Sequence, residues 1–564
     1  MALRISAARL GLRGAGAGCA LTPAAALVAV ALLGTSGHSQ AFEFDAGNPD
    51  LRIRWDNTLK YSAAWRTEGQ SDRLTEGSTS LNLDDGDRNF DKGLISSRVD
   101  VLSEMDITYQ NVGARISGAA WYDDAYNRNT DNNAADRINS FDGDDFPDAT
   151  RTLHGRKAEL LDAFVFAKGD LGEMPASARL GQYAMQWGES LFYGMNGIAG
   201  GMAPIDVVKG LSVPNTQFKE LIRPVKQMSG QLQLTPDVSI GAYYQFEWEA
   251  NRLPASGSYF STDDFFADGN ERLFVGAPLF PGAAPLAFYR GSTKQAKDGG
   301  QGGVQLRWRT DNYDFGFYAI RFHDKSPQLI VRPDFANLNP VSGYAGNYYW
   351  AYPEGIEAVG TSFSTTLEEF NIAGELSTRW HQPLASTLQH SLIAGEGVSN
   401  DADDAVYATG HTLHANLSWL ASLGPSFVSQ EASFVGEIAW NRVLSVTRNA
   451  DAVDPNADRD AWSLRTVYEP MYRQAFPGWD VSVPIGASYT HGASMALGTG
   501  FGANRGGDLN IGIKGNYLNT WNVGLTYTHY YGRSDTFLDA SSNYTFEQSL
   551  IDRDFLAFSV SRTF

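Results

Sequence analysis

Residues 51–66 read LRIRWDNTLKYSAAWR. Leu51, Ile53, Trp55, Leu59, Tyr61, Ala63 and Trp65 take the odd positions, while Arg52, Arg54, Asp56, Lys60 and Arg66 take the even ones. Successive side chains of a strand point to opposite faces, whereas a helix would mix the two sets. Charges confined to one face also exclude a strand buried on both sides. The pattern returns over 95–109, where Val99, Val101, Met105 and Ile107 oppose Arg98, Asp100, Glu104 and Asp106.

Further along, strands come in pairs. Met228, Gly230, Leu232 and Leu234 alternate with Gln227, Gln231 and Gln233, and the chain turns at Thr235-Pro236-Asp237. It returns through Val238, Ile240, Ala242, Tyr244, Phe246 and Trp248. Comparable hairpins span 304–322 around Thr310-Asp311-Asn312, 511–531 around Asn519-Thr520, and 407–440. Between the pairs lie long polar segments: 67–93, 123–156, 188–225, 251–301, 324–360, 381–404, 443–460, 491–508 and 532–552. Long loops at one end and short turns at the other describe a transmembrane antiparallel β-barrel with periplasmic turns. The expected number is 18 strands, with 16 as the alternative because 362–367 is short and 159–168 alternates poorly. An even number brings both ends to the periplasmic side and leaves no free edge. A soluble β-sandwich or periplasmic solenoid would alternate too, but Trp and Tyr near strand ends suit lipid interfaces better than a compact core.

The two termini agree with this reading. Arg4, Arg9 and Arg13 precede an apolar run over 23–33, and Ser39-Gln40-Ala41 offers a signal-peptidase site, so residues 1–41 are expected to be an export signal cut near Ala41. The run is about half of the ~20 residues a membrane-spanning helix needs. The single cysteine, Cys19, precedes that run and lacks a lipobox leucine. At the other end Leu556, Phe558, Val560 and Phe564 share a face. A final Phe on an alternating strand resembles the signal read by the outer-membrane barrel assembly machinery, Arg562 being the departure from it.

Composition narrows the function. The chain has 564 residues, 43% hydrophobic and 19% charged, with one Cys, 58 Gly, 31 Phe, 25 Tyr and 13 Trp, which excludes a disordered chain, a small disulfide scaffold and collagen. Its 44 Lys and Arg face 64 Asp and Glu, a balance of -20. Removing residues 1–41 takes away three arginines and no acids, leaving 41 bases against 64 acids, or -23. Such a chain repels nucleic acid.

A family resemblance is carried by Arg179-Leu180-Gly181-Gln182 followed by Gln186-Trp187-Gly188-Glu189-Ser190. To these add Asn82-Leu83-Asp84-Asp85-Gly86-Asp87 with Asn89-Phe90 and Gly93, Ala203-Pro204-Ile205-Asp206-Val207, and Glu220 with Arg223-Pro224-Val225. Glu247-Trp248, Gly257-Ser258-Tyr259-Phe260-Ser261 with Asp263, and Gly374-Glu375-Leu376-Ser377 complete the set. Over nearly all of 42–564 the chain resembles the proteobacterial outer-membrane family called domain of unknown function 1302. The resemblance implies traffic of apolar molecules, because relatives tend to be encoded beside a second periplasmic family and large inner-membrane exporters. A periplasmic partner and such an exporter are therefore expected partners, along with outer-membrane lipid and lipopolysaccharide.

Candidate sites were weighed by strand geometry. His411 and His414 form H-x-x-H, but on a strand residues three apart face opposite ways, so no metal is expected there. Gly188-Glu189-Ser190-Leu191-Phe192 begins like a nucleophile elbow and lacks its second glycine. No cofactor and no catalytic residue are expected. The acidic runs Asp84-Asp85-Gly86-Asp87 and Asp142-Gly143-Asp144-Asp145 miss the pattern of an EF-hand and read first as solvated loops. A second reading has them bind Ca²⁺ or Mg²⁺ and bridge to lipopolysaccharide. The expected lumen face carries both signs, in Arg52, Arg98, Asp100, Glu104, Asp106, Gln231, Gln245, Glu247, Gln305, Arg307, Glu375, Arg379, Glu437 and Arg465. Mixed charge points to internal salt bridges rather than a selectivity ring.

The segment 188–225 is the expected functional loop. It is rich in Gly and Met (Met195, Gly197, Gly200, Gly201, Met202) and ends in the helix-like 217–222. A loop this long and apolar is usually functional. It is expected to fold inward as a hatch, with Glu189 and Asp206 held by lumen arginines. Trp187, Ser190, Met195, Met202, Glu220 and Arg223 would complete the passage. An external cap over the barrel mouth is the alternative. The expected function is passage of a hydrophobic or amphipathic organic molecule across the outer membrane without chemistry. A passive structural or surface-binding barrel and an outer-membrane hydrolase are the other two readings.

Overall fold

A computed structural model describes residues 42–44 and 47–564 except 78, 135, 217, 389–391 and 393–396. The expected export signal, its cut near Ala41, Cys19 and Gln217 lie outside the described residues. In chain order the strands are β1 (Phe42–Phe44), β2 (Leu51–Arg66), β3 (Gly93–Tyr109), β4 (Val112–Asp123), β5 (Arg156–Leu171), β6 (Met174–Tyr183), β7 (Val225–Gln233) and β8 (Val238–Gln245). They continue with β9 (Arg272–Gly276), β10 (Leu286–Arg290), β11 (Gln301–Arg309), β12 (Tyr313–Phe322), β13 (Gln328–Pro333), β14 (Tyr344–Ala351), β15 (Ile356–Leu367) and β16 (Phe370–Pro383). The last are β17 (Thr409–Leu423), β18 (Glu431–Arg448), β19 (Asp460–Phe476), β20 (Trp479–Ser482), β21 (Ile485–His491), β22 (Gly507–Tyr517), β23 (Trp521–Tyr531) and β24 (Phe555–Thr563).

Consecutive barrel strands pair antiparallel, and β24 returns to β2 with Thr58 opposite Thr563 and Arg66 opposite Phe555. The Phe564 N–H and C=O both bond to Asn57, at 2.9 and 2.8 Å, so the terminal residue itself helps close the ring. β20 and β21 form one strand interrupted at Pro484, since proline cannot donate to the ladder. Counted so, and with the three-residue β1 that pairs only with β2 left aside, the barrel is closed and 18-stranded, and the four strands β9, β10, β13 and β14 lie outside it. Among the described residues no helix is long and apolar enough to cross a membrane.

Both elements that argued for 16 strands have physical explanations. β15 is longer than its alternating part suggests, pairing with β16 from Glu357 to Leu367. β5 alternates poorly because Ile116 of β4 faces Ala163 while Gly118 faces Leu160, which leaves Ser117 opposite two residues. This bulge reverses the parity of β5, so Leu160 (52% exposed) and Val165 (54%) both face outward although five residues apart. Elsewhere the outer face is apolar, as in Val304, Leu306, Phe317, Ile511 and Ile513. A Lys or Arg facing lipid at the membrane midplane would cost about 2–4 kcal/mol, and the charges of β2 and β3 turn inward.

Two expectations about the long loops are corrected. They are not simply polar connections, because 246–300 and 323–355 build their own sheet, in which β10 pairs parallel with β14 and antiparallel with β9. That sheet packs on Leu83, Phe265 and Leu538. The Asp84–Asp87 run is not solvated: Asp84, Asp85 and Asp87 are all buried. Basic residues draw it in, the remote Arg66 and Arg137 lying 2.6 Å from Asp87 and 2.9 Å from Asp84 and the adjacent Arg88 2.7 Å from Asp84. Asp142 to Asp144 are exposed as expected. Over the mouth, Phe90, Tyr126, Phe146 and Tyr259 form an aromatic cluster with ring separations of 5.1 to 5.6 Å.

Candidate functional site

Residues 184–224, between β6 and β7, contact the inner wall on opposite sides of the barrel. On one side the chain from 189 to 198 is held by β16, β17 and β18. The Glu437 carboxylate accepts the Ser190 hydroxyl (2.8 Å), the N–H groups of Leu191 and Tyr193 (3.0 Å each), that of Phe192, and Asn416 Nδ2. The Glu375 carboxylate accepts the N–H of Glu189 (2.9 Å) and of Ile198. Arg379 donates to the carbonyls of Met195, Asn196 and Gly197 at 2.8 to 3.0 Å. Buried carboxylates thus take the orphan donors of an irregular segment, and a buried guanidinium takes its acceptors. Gly188 has φ +96°, and a Cβ there would collide with the Glu375 carboxylate, so glycine permits this approach.

On the other side, Asp206 caps the short helix Val207–Ser212 by accepting the Lys209 N–H at 2.9 Å. It pairs with Arg252 at 2.6 Å, and Arg252 pairs in turn with Glu159 of β5 at 2.5 Å. Arg98, Lys209 and Arg252 surround the Trp121 ring of β4 at 4.8, 5.6 and 5.7 Å. Asn215 Nδ2 donates to Ser559 Oγ of β24 at 2.7 Å. Between the two anchorages, Met202 is fully buried with Tyr243, Tyr318, Ile320 and Phe322, and Trp187 stands edge-on to Tyr243 at 4.9 Å.

Two of the cavities that adjoin this segment lie at its two ends along the pore. On the long-loop side, about 420 Å³ is lined by Met195, Leu253, Phe260, Phe266, Lys325 and Arg379 among others. Burial holds the Lys325 ammonium down to about 8, against the opposing pull of Asp324. On the turn side, about 480 Å³ is lined by Phe164, Phe166, Trp187, Tyr318, Arg179 and Arg307 among others. The Arg179 guanidinium lies over the rings of Phe164 (4.9 Å) and Tyr183 (5.0 Å) and forms no ion pair among the described residues.

The expected site residues divide accordingly. Glu189, Ser190 and Met195 come together with Glu375, Arg379 and Glu437, Trp187 packs against Met202 beside them, and Asp206 is held at the other wall by Arg252. Glu189 lies 3.7 Å from Arg307, as expected of a lumen arginine, whereas the arginine that holds Asp206 comes from the loop after β8. Glu220 lies in the short helix Phe218–Leu221, and Arg223 bonds Glu249 at 3.3 Å. Arg98 with Asp100 (2.7 Å), and Arg115 with Glu104 (3.6 Å) and Asp106 (3.0 Å), pair along the wall of β3 and β4. Arg52 sits near the turn end of β2 opposite Thr108. Glu247 departs from expectation: beyond the end of β8 it pairs with Lys226, on the outward face shared with Met228. His414 uses both ring nitrogens on Asn196 and Thr412. Sequence reasoning missed Asn196, which is wholly buried and bonds Asn416, His414, Asn441 and the carbonyl of Trp440. Nothing local marks an asparagine whose partners lie more than two hundred residues away.

A closed 18-stranded membrane barrel with a loop folded into its lumen is the class that fold and site define. Within that class, the match of residues 22–564 to the family described as protein of unknown function DUF1302 shows that the chain belongs to it. No curated protein matches the chain. Among solved structures it is similar to OccAB2 of Acinetobacter baumannii, at 10% identity and TM-score 0.43 over 91% of this chain and 98% of that one. It is also similar to the outer membrane protein OpdK of Pseudomonas aeruginosa, at 11% identity and TM-score 0.38 over 91% and 98%. A third is OmpF of Salmonella typhi in complex with daunomycin, at 8% identity and TM-score 0.35 over 93% and 100%.

Proposed function

We propose that this barrel passes a hydrophobic or amphipathic organic molecule across the outer membrane, with residues 184–224 as the hatch. The observation that carries the reading is the pair of cavities beside a segment tied to opposite walls. Each combines apolar surface with a few convergent polar groups, the usual make-up of an organic-ligand pocket. In the turn-side cavity, Arg179 and Arg307 among four aromatic rings suit an amphipathic molecule with an acidic group. Handover to a periplasmic partner and an inner-membrane exporter belongs to the same proposal, as do assembly through Phe564 and contact with lipopolysaccharide. Passage requires no chemistry, and the hydroxyl of Ser190 is engaged by Glu437 rather than by a histidine.

The test is single-channel conductance of the purified protein in a planar bilayer, with and without residues 195–212. Silence of the intact protein and conduction after the deletion are expected. Large steady steps from the intact protein would end the hatch reading. A pH series adds a second expectation. Lys325, held down to about 8, is cationic below that pH and neutral above it. Binding of an organic anion in the long-loop cavity should therefore weaken as pH rises through 8, and Lys325→Met should remove that dependence.

A further inference from the structure

We propose that Asp84, Asp85 and Asp264 hold a calcium ion that joins two extracellular loops over the barrel mouth, a third being bonded to Asp85 through the Asn139 N–H. Asp84 and Asp85 come from 67–92 and Asp264 from 246–300, and one carboxylate oxygen of each lies within 4.8 Å of the others. An ion about 2.4 Å from its oxygen ligands sets oxygens across it about 4.8 Å apart, so the spacing admits Ca²⁺. All three side chains are buried. Arg88 and Arg137 both bond Oδ2 of Asp84, while Oδ1 of Asp84 and Oδ1 of Asp264 have no hydrogen-bond partner.

Two buried side chains next to this cluster also carry an oxygen without a hydrogen-bond partner. Asn139, from 124–155, is 1% exposed, and its backbone N–H donates to Asp85 Oδ2 at 3.0 Å. Its Nδ2 is taken by Asn82 Oδ1 (2.8 Å) and the Arg272 carbonyl (2.9 Å), while its Oδ1 has no partner. Ser258, wholly buried with an unpartnered hydroxyl, abuts the residue after Asp85, since a Cβ on Gly86 would come 2.6 Å from the Ser258 carbonyl. Buried polar atoms are nearly always satisfied, so wholly buried carboxylate oxygens of Asp84 and Asp264 left without a partner describe a binding site for a hard cation. Several carboxylates enclosed by protein suit Ca²⁺, whereas Mg²⁺ prefers to retain several waters. Because protein encloses the cluster, the ion joins loop to loop and does not reach lipopolysaccharide.

Full-length mature protein in detergent, stripped with EDTA, tests this by ⁴⁵Ca²⁺ equilibrium dialysis and limited trypsin digestion. Saturable binding of one Ca²⁺ per chain is expected, resisting equimolar Mg²⁺ and slowing cleavage within 67–92 and 124–155. Asp264→Asn and Asp85→Asn should each lose that binding and that protection while keeping the heat-modifiable mobility of a folded barrel. Absence of saturable binding by the wild-type protein would overturn the proposal, as would retention of binding in Asp264→Asn or preference for Mg²⁺. The wild-type measurement decides the matter even if a variant fails to fold.

Discussion

Replacing Glu437 by alanine will loosen residues 190–193 from the wall and turn a closed barrel into a conducting one. The Glu437 side chain is wholly buried and is the shared acceptor for three consecutive backbone N–H groups, the Ser190 hydroxyl and Asn416. A buried donor left without an acceptor costs about 1–3 kcal/mol, and here several lose theirs together. Water entering the lumen recovers part of that cost only if the segment moves to admit it. Glu375 and Arg379 still hold Glu189 and residues 195–198, so the expected change is a shift of the strip from 190 to 193 rather than loss of the whole hatch. Conductance should rise well above that of the parent, and Glu437→Gln, which keeps the shape and one accepting oxygen, should fall between them. Heat-modifiable mobility on a gel checks that the barrel is intact. An unchanged silent bilayer with Glu437→Ala would mean that something other than this strip closes the pore.

Arg66→Ala should act on the outer closure instead. The Arg66 side chain is completely buried, donating to the carbonyls of Glu68 (3.0 Å), Asp87 (3.1 Å), Phe90 (2.8 Å) and Asp552 (3.1 Å). It also pairs with the carboxylates of Asp87 at 2.6 Å and Asp552 at 3.4 Å. Its loss leaves two buried carboxylates near Arg553 alone, 3.9 Å from Asp87, and breaking a buried pair in this way costs about 3–5 kcal/mol. The penalty falls on 67–92 and 532–554, so protease should cut these loops faster in Arg66→Ala while the barrel stays resistant. Equal cleavage rates in variant and parent would show that the aromatic cluster alone holds the cover in place. Because hatch and cover lie in series along the pore, the double variant should conduct more than Glu437→Ala.

The inward hatch and the external cap, alternatives when only the sequence was read, are built from different loops. Residues 189–202 lie against the inner wall, while 67–92, 124–155 and 246–300 close over the mouth. Loop length and apolar content marked 188–225 as unusual, and Gly188 and Met202 lie where a tight approach and a dry core need them. The partner side of each bond was harder to read. Glu375, Arg379 and Glu437 looked like any lumen charges, since their role depends on a segment some 180 to 250 residues earlier meeting them across the barrel.

Period-two alternation, visible in residues 51–66 and repeated to Phe564, determined by itself that this chain closes as a membrane barrel. It could do so because a strand's two faces meet two solvents, and each residue reports locally which one it faces. Where that local rule broke, at the β5 bulge, the strand number stayed open between 18 and 16. Only the tertiary structure decided that Asp84 to Asp87 are buried, that the loops build a sheet of their own, and which loop enters the lumen. Those outcomes rest on charge pairs and shared hydrogen bonds between residues far apart in sequence, and such contacts leave no periodic trace along the chain.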